Sequence, residues 1–141
     1  MGRPVRQQGC TVTFKQSRAQ VVLYAKHLAG MQHFYQTLFL LEVEHAAPDH
    51  VVLTSSVSRL IIVQTPQSIA ANIQITDPPA RRSETPIKLV FEVEDIGAAR
   101  AAAPGLGGRI DAADSEWTYQ GCRVCDGQDP EGNVVQLRMT A

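Results

Sequence analysis

Two stretches of the sequence change the period of their apolar residues in the same way. Residues 20–35 read QVVLYAKHLAGMQHFY and residues 88–103 read KLVFEVEDIGAARAAA. Each opens with an apolar run of strand character and then shifts to helical spacing. In the first, Leu28, Met31, Tyr35 and Leu38 follow at intervals of 3, 4 and 3. In the second, Ile96, Ala99 and Ala103 share one helical face in the same way. Asp95 stands where a helix N-cap is expected, and His27, a weaker cap, holds the equivalent place in the first copy. The match sets a register: Gln20 corresponds to Lys88, Tyr24 to Glu92 and His27 to Asp95.

Short β-like runs follow each copy. After the first come LEVEHA, HVVLTSS and RLIIVQ, separated by the turn sequences APDH and SSVS. After the second come GRIDAA, EWTYQGCRVCD and NVVQLRM, separated by PGLGG and GQDPEG. The order βαβββ therefore occurs twice, which predicts two modules of one supersecondary unit that bury their apolar faces together. Residues 1–18 read as an extension ahead of this domain. Module one covers 19–65, a Pro-rich polar linker 66–85 with a helical turn near Ser68 to Ile73, and module two 86–141. The fold class is α+β, with mostly antiparallel sheet.

Composition narrows the function classes. The chain has 141 residues, 44% hydrophobic and 19% charged, as expected of one globular domain. The net charge of -1 gives no steering towards nucleic acid or an anionic membrane surface. No apolar run approaches the roughly 18 residues of a membrane span. The three cysteines, Cys10, Cys122 and Cys125, are an odd number without a secretion signal, which points to thiols in the cytoplasm. Cys122 and Cys125 form a CxxC, but positions three apart on a strand face opposite ways, so they are read as structural thiols. The four histidines, His27, His33, His45 and His50, are assigned to a helix start, a polar helix face and the flanks of a hairpin turn.

A tandem βαβββ repeat closing on DPEGNVVQL resembles the vicinal oxygen chelate superfamily, the group of glyoxalase I, bleomycin-resistance proteins, fosfomycin-resistance enzymes and extradiol dioxygenases. The turn residues 129–133 and the strand-to-helix run LYAKHLAGMQHFY carry the resemblance, which extends from Gln20 to Met139. The turn has a backbone explanation: Pro130 fixes φ, Gly132 admits a positive φ, and Asp129 and Asn133 bond nearby amides. The resemblance implies a cup-shaped sheet with divalent-metal ligands on the first and last strand of each module. By register these places fall on Gln20, Ile62, Lys88 and Gln136, with Ile62 laid against Gln136.

Such metals take imidazole and carboxylate ligands. Here the four places offer two neutral amides, a hydrocarbon and an ammonium, so no metal and no cofactor is expected, and a divalent metal is the alternative. Alternation puts Gln20, Val22 and Tyr24 on the inward face, and likewise Lys88, Val90 and Glu92. On the last strands it groups Leu60, Ile62 and Gln64, and Val134, Gln136 and Arg138. Gln20, Tyr24, Lys88, Glu92, Trp117 and Gln136 are therefore the candidate ligand-binding residues, with Tyr119 beside Trp117 as a stacking surface. Lys88 and Arg138 suit an uncharged or anionic small molecule better than a cation such as bleomycin. The alternatives are a lyase or isomerase of the glyoxalase type, using Glu92 as base, or a relative of the metal-dependent dioxygenases. A homodimer is expected, because such modules pair within or between chains.

Overall fold

The computed structural model describes residues 2–7 and 10–141. Strands β1 (Arg3–Gln7) and β2 (Cys10–Phe14) form a two-stranded antiparallel hairpin ahead of the main domain. The first repeat then supplies β3 (Val21–Ala25), α1 (Leu28–Leu38), β4 (Glu42–Ala47), β5 (His50–Thr54) and β6 (Arg59–Gln64). These strands make a four-stranded sheet in the order β3-β6-β5-β4, with β3 parallel to β6. The linker carries α2 (Gln67–Ala70), one residue ahead of the expected helical turn.

The second repeat supplies β7 (Leu89–Glu92), α3 (Ile96–Ala102), β8 (Arg109–Ile110), β9 (Trp117–Tyr119), β10 (Cys122–Gln128) and β11 (Val134–Thr140). Its sheet runs β7-β11-β10-β8, and β9 pairs with the other end of β10. Again the first and last strands, β7 and β11, are parallel. The run EWTYQGCRVCD, read as one strand, is two. Gln120 and Gly121, with φ of 46° and 77°, make a two-residue turn between β9 and β10, the left-handed pair that a tight hairpin requires. GRIDAA shortens to the two residues of β8.

One core serves both modules. α1 buries Met31, Phe34 and Tyr35, α3 buries Ile96 and Ala99, and between them lie Leu53, Ile62, Val135 and Leu137 from the two sheets. Phe39, just after α1, stacks on Phe91 of β7 with ring centroids 3.8 Å apart. Each helix thus covers one face of a sheet, and the other face of each sheet stays open.

The helix starts are fixed by different means. Asp95 caps α3, its Oδ1 accepting from the Ala98 N–H at 3.1 Å. His27 makes no such bond with its side chain. There the Glu131 carboxylate accepts from the N–H groups of Lys26 and His27, both at 2.8 Å, and Gln64 Oε1 accepts from Leu28 N–H at 3.2 Å. In the same turn Tyr35 Oη donates to Asp129 Oδ2 at 2.7 Å. The Asp129 carboxylate also accepts from the N–H groups of Glu131 and Asn133. The turn that sequence explains by local backbone geometry is therefore also the clasp between the modules. Desolvation of the Asp129 carboxyl raises its pKa above the ordinary value.

Candidate functional site

Strand pairing settles which residues share the open faces. On the second sheet, Gln136 lies beside Val90 and Asp126, and Arg138 beside Glu92 and Val124, with Trp117 next to Val124. Lys88, Val90, Glu92, Trp117, Tyr119, Asp126, Gln136 and Arg138 are thus on one face, while Phe91, Val135 and Leu137 point to α3 and the core. The open face carries a chain of polar contacts. Lys88 Nζ donates to Asp126 Oδ2 at 2.8 Å. Gln136 Nε2 donates to Asp126 Oδ1 at 3.2 Å, and Gln136 Oε1 accepts from Arg138 Nε at 3.0 Å. The Arg138 guanidinium lies 5.6 Å from the centre of the Tyr119 ring, a cation–π distance.

A cleft of about 500 Å³ opens at this end of the sheet, lined by Glu92, Glu94, Cys122, Arg138, Met139 and Thr140. Trp117 and Tyr119, on the same face of the sheet, remain 41% and 49% exposed. Cys122 faces this cleft, half-buried, whereas Cys125 is buried on the opposite face beside Arg100. The two thiols do not converge, as their spacing predicts.

The open face of the first sheet carries Val22 and Tyr24, which are 50% and 65% exposed, together with Ile61 and Val63. Gln20 lies one residue ahead of β3, exposed, and its Oε1 accepts from Arg59 at 3.5 Å. Arg59 is itself held by Glu44. Of the six candidate residues, the structure brings Lys88, Glu92, Trp117 and Gln136 onto one face. Gln20 and Tyr24 stand on the other sheet, and no hydrogen bond among the described residues joins the two groups.

One placement is corrected. Ile62 pairs with Leu23 and is completely buried in the core, and Leu60 and Gln64 share its side of the sheet. The residue equivalent to Gln136 is Ile61, which pairs with Val22 as Gln136 pairs with Val90. In RLIIVQ both faces are apolar, so alternation gives no signal, and only the parallel pairing with β3 decides the register. Lys88 carries an ion pair of its own, 2.8 Å long. Its partner is Asp126, which the sequence reading left aside. Arg81 of the linker was missed as well. It forms a bidentate ion pair with Asp111, at 2.6 and 3.0 Å, and bonds Gln128 at 3.1 Å, so it fastens the linker to the second module.

A family model described as a glyoxalase-like domain matches residues 20–138. The chain belongs to the glyoxalase-like family. Solved structures agree on the fold. Against FosX, a genomically encoded fosfomycin resistance protein from Listeria monocytogenes, the TM-score is 0.64 at 15% identity, covering 91% of this chain and 96% of that one. A glyoxalase/bleomycin resistance protein/dioxygenase family enzyme from Burkholderia phytofirmans gives 0.65 at 18% identity, with 86% and 97% covered. A glyoxalase/bleomycin resistance protein from Albidiferax ferrireducens gives 0.61 at 16% identity, with 86% and 97% covered. Among curated proteins, none matches this sequence. The glyoxalase-like chain is thus a member of the vicinal oxygen chelate superfamily, with the two-module α+β architecture.

The superfamily implies a divalent metal, and the residues of this glyoxalase-like chain do not fit one. In the corrected register the four places hold Gln20, Ile61, Lys88 and Gln136. Gln136 is only 7% exposed, and its bonds fix its orientation: the Nε2 group faces Asp126 and the oxygen is engaged by Arg138. An amide nitrogen is no ligand for a hard cation. Gln20 offers its oxygen to the Arg59 guanidinium, Ile61 offers nothing, and Lys88 brings an ammonium already bound to a carboxylate. Among the described residues, no three His, Cys, Asp or Glu side chains gather closely enough to hold a metal ion. Among them, too, no helix is long and apolar enough to cross a membrane.

Proposed function

We propose that this glyoxalase-like chain binds an uncharged or anionic small organic molecule on the open face of its second sheet, without a divalent metal. The observation that carries the proposal is the cleft lined by Arg138 and Glu92, continued on the same sheet face by Gln136 and by the exposed rings of Trp117 and Tyr119. A partly apolar hollow with a few fixed polar side chains is the usual makeup of a small-molecule site. The Arg138 guanidinium, which has no carboxylate partner among the described residues, suits a negative or neutral guest better than a cation. We also propose that the chain works as a homodimer in the cytoplasm. Val22 and Tyr24 on the first sheet leave apolar surface that a second copy would cover.

Trp117 is the one tryptophan of the chain, so its fluorescence reports on this face of the second sheet. Titration with a panel of planar anionic, neutral and cationic compounds checks the proposal. Saturable quenching by anionic or neutral members supports it. Quenching by cations alone, or by none, contradicts it.

A second reading has one observation in its favour. Glu92 lines the same cleft and has no salt bridge among the described residues, so its carboxylate is open to act as a general base for a proton-transfer isomerisation. Turnover of a bound compound that disappears in Glu92→Gln, with binding retained, would select that reading.

A further inference from the structure

Three neighbouring strands of the second sheet send side chains to one point. Lys88 precedes β7, Gln136 lies on β11 and Asp126 on β10. The Asp126 carboxylate receives the ammonium on one oxygen at 2.8 Å and the Gln136 amide on the other at 3.2 Å. Gln136 is not free to turn, because it is nearly buried and its own oxygen is held by Arg138 at 3.0 Å. Two donors fixed from different strands therefore form a receptacle for a carboxylate, and a carboxylate of the chain itself fills it.

The filling is exchangeable. The Lys88 side chain is 42% exposed and that of Asp126 20%, so solvent reaches the pair. An ion pair that solvent reaches holds only weakly. An incoming carboxylate has to displace a tethered one, so the contacts made by the rest of its molecule must offset that advantage. Such contacts are at hand. The next inward-facing position of β11 is Arg138, level with Trp117 on the same face, a step of roughly 7 Å along the strand. That spacing suits a planar body on the aromatic rings with its acid group at Lys88.

We propose that Lys88 and Gln136 form a carboxylate-exchange site, in which the acid group of a small planar ligand displaces Asp126 from the ammonium. The proposal rests on the reading that this face binds a small molecule, and it names the class: a planar carboxylate. Benzoate and its uncharged isostere benzamide are the probes, read by Trp117 fluorescence on the full chain. Benzoate is expected to bind about tenfold more tightly than benzamide. Lys88→Met should abolish that preference and Lys88→Arg keep it. Asp126→Asn, which removes the internal competitor, should tighten benzoate binding.

The opposite signs of Lys88→Met and Asp126→Asn separate exchange from a merely structural ion pair, which loses the same contact in both variants. Equal binding of benzoate and benzamide, or weaker benzoate binding in Asp126→Asn, overturns the exchange site and leaves the binding face standing. Failure of both compounds to quench Trp117 overturns the site together with the reading beneath it.

Discussion

Glu131 and His27, 104 residues apart in sequence, meet at the start of α1, where the Glu131 Oε2 accepts the His27 N–H at 2.8 Å. The other oxygen accepts from Lys26 at the same distance. A carboxylate at a helix N-terminus satisfies unpaired amide donors and complements the helix dipole. This one comes from the other module, so it joins helix capping to module docking.

Glu131→Ala removes both acceptors and leaves two amides without partners. It is expected to lower the unfolding free energy by about 2–3 kcal/mol. Glu131→Gln, which keeps one acceptor oxygen, should lose less. Urea denaturation checks this; losses under about 0.5 kcal/mol for Glu131→Ala would show that the clasp contributes little.

Gly132 sits two residues after Pro130 with φ +81°, and a Cβ there would collide with the Ala80 carbonyl oxygen. The Gly132 carbonyl also accepts from the Arg82 N–H at 2.9 Å, so the linker lies against this turn. Gly132→Ala combines backbone strain with a steric clash and is expected to destabilise by about 2–4 kcal/mol. Limited proteolysis should then cut the 77–82 segment faster than in the natural chain.

Glu116 lies between Arg100 and Arg123, and hydrogen bonding to Arg100 first, then to Arg123, lowers its carboxyl pKa below the ordinary 4.5. The folded state thus holds this proton more weakly than the unfolded chain. Its contribution is present above the ordinary value and fades as pH falls through the lowered one. Unfolding free energy measured from neutral pH into this acid window should fall less steeply for Glu116→Gln than for the natural chain. Parallel pH profiles would contradict the assignment.

The two strand-helix copies were legible because each pairs an apolar run with helical spacing, and the register of Gln20 with Lys88 follows from it. The last strand of the first module was not legible, since Ile61 and Ile62 are both apolar and nothing local says which one faces the core. The clasp was hidden for another reason. Asp129 and Glu131 look like turn residues, and their partners Tyr35 and His27 lie about a hundred positions away, where no spacing rule reaches. Asp126 was not legible because it stands on β10, beyond the first and last strands of the module, and only the sheet order brings it beside Gln136 and Lys88.

The exposed open face of the first sheet leads to a prediction about assembly. Tyr24 and Val22 make it apolar without belonging to the core, so Val22→Lys/Tyr24→Glu should leave unfolding of the monomer nearly unchanged and shift a dimer to monomer. Light scattering at several concentrations reads this. A natural chain that is monomeric throughout would refute the dimer.

The central proposal is that Gln20, Ile61, Lys88 and Gln136, at the places where the superfamily's chemistry would call for ligands, hold no divalent metal. The most direct test is elemental analysis of the purified chain after equilibration with zinc, manganese, cobalt and nickel ions and removal of the excess. No divalent metal above background is expected to be retained, in the natural chain and in Lys88→Met alike. One tightly held divalent ion per chain, lost on substitution of Gln136 or Gln20, would contradict it.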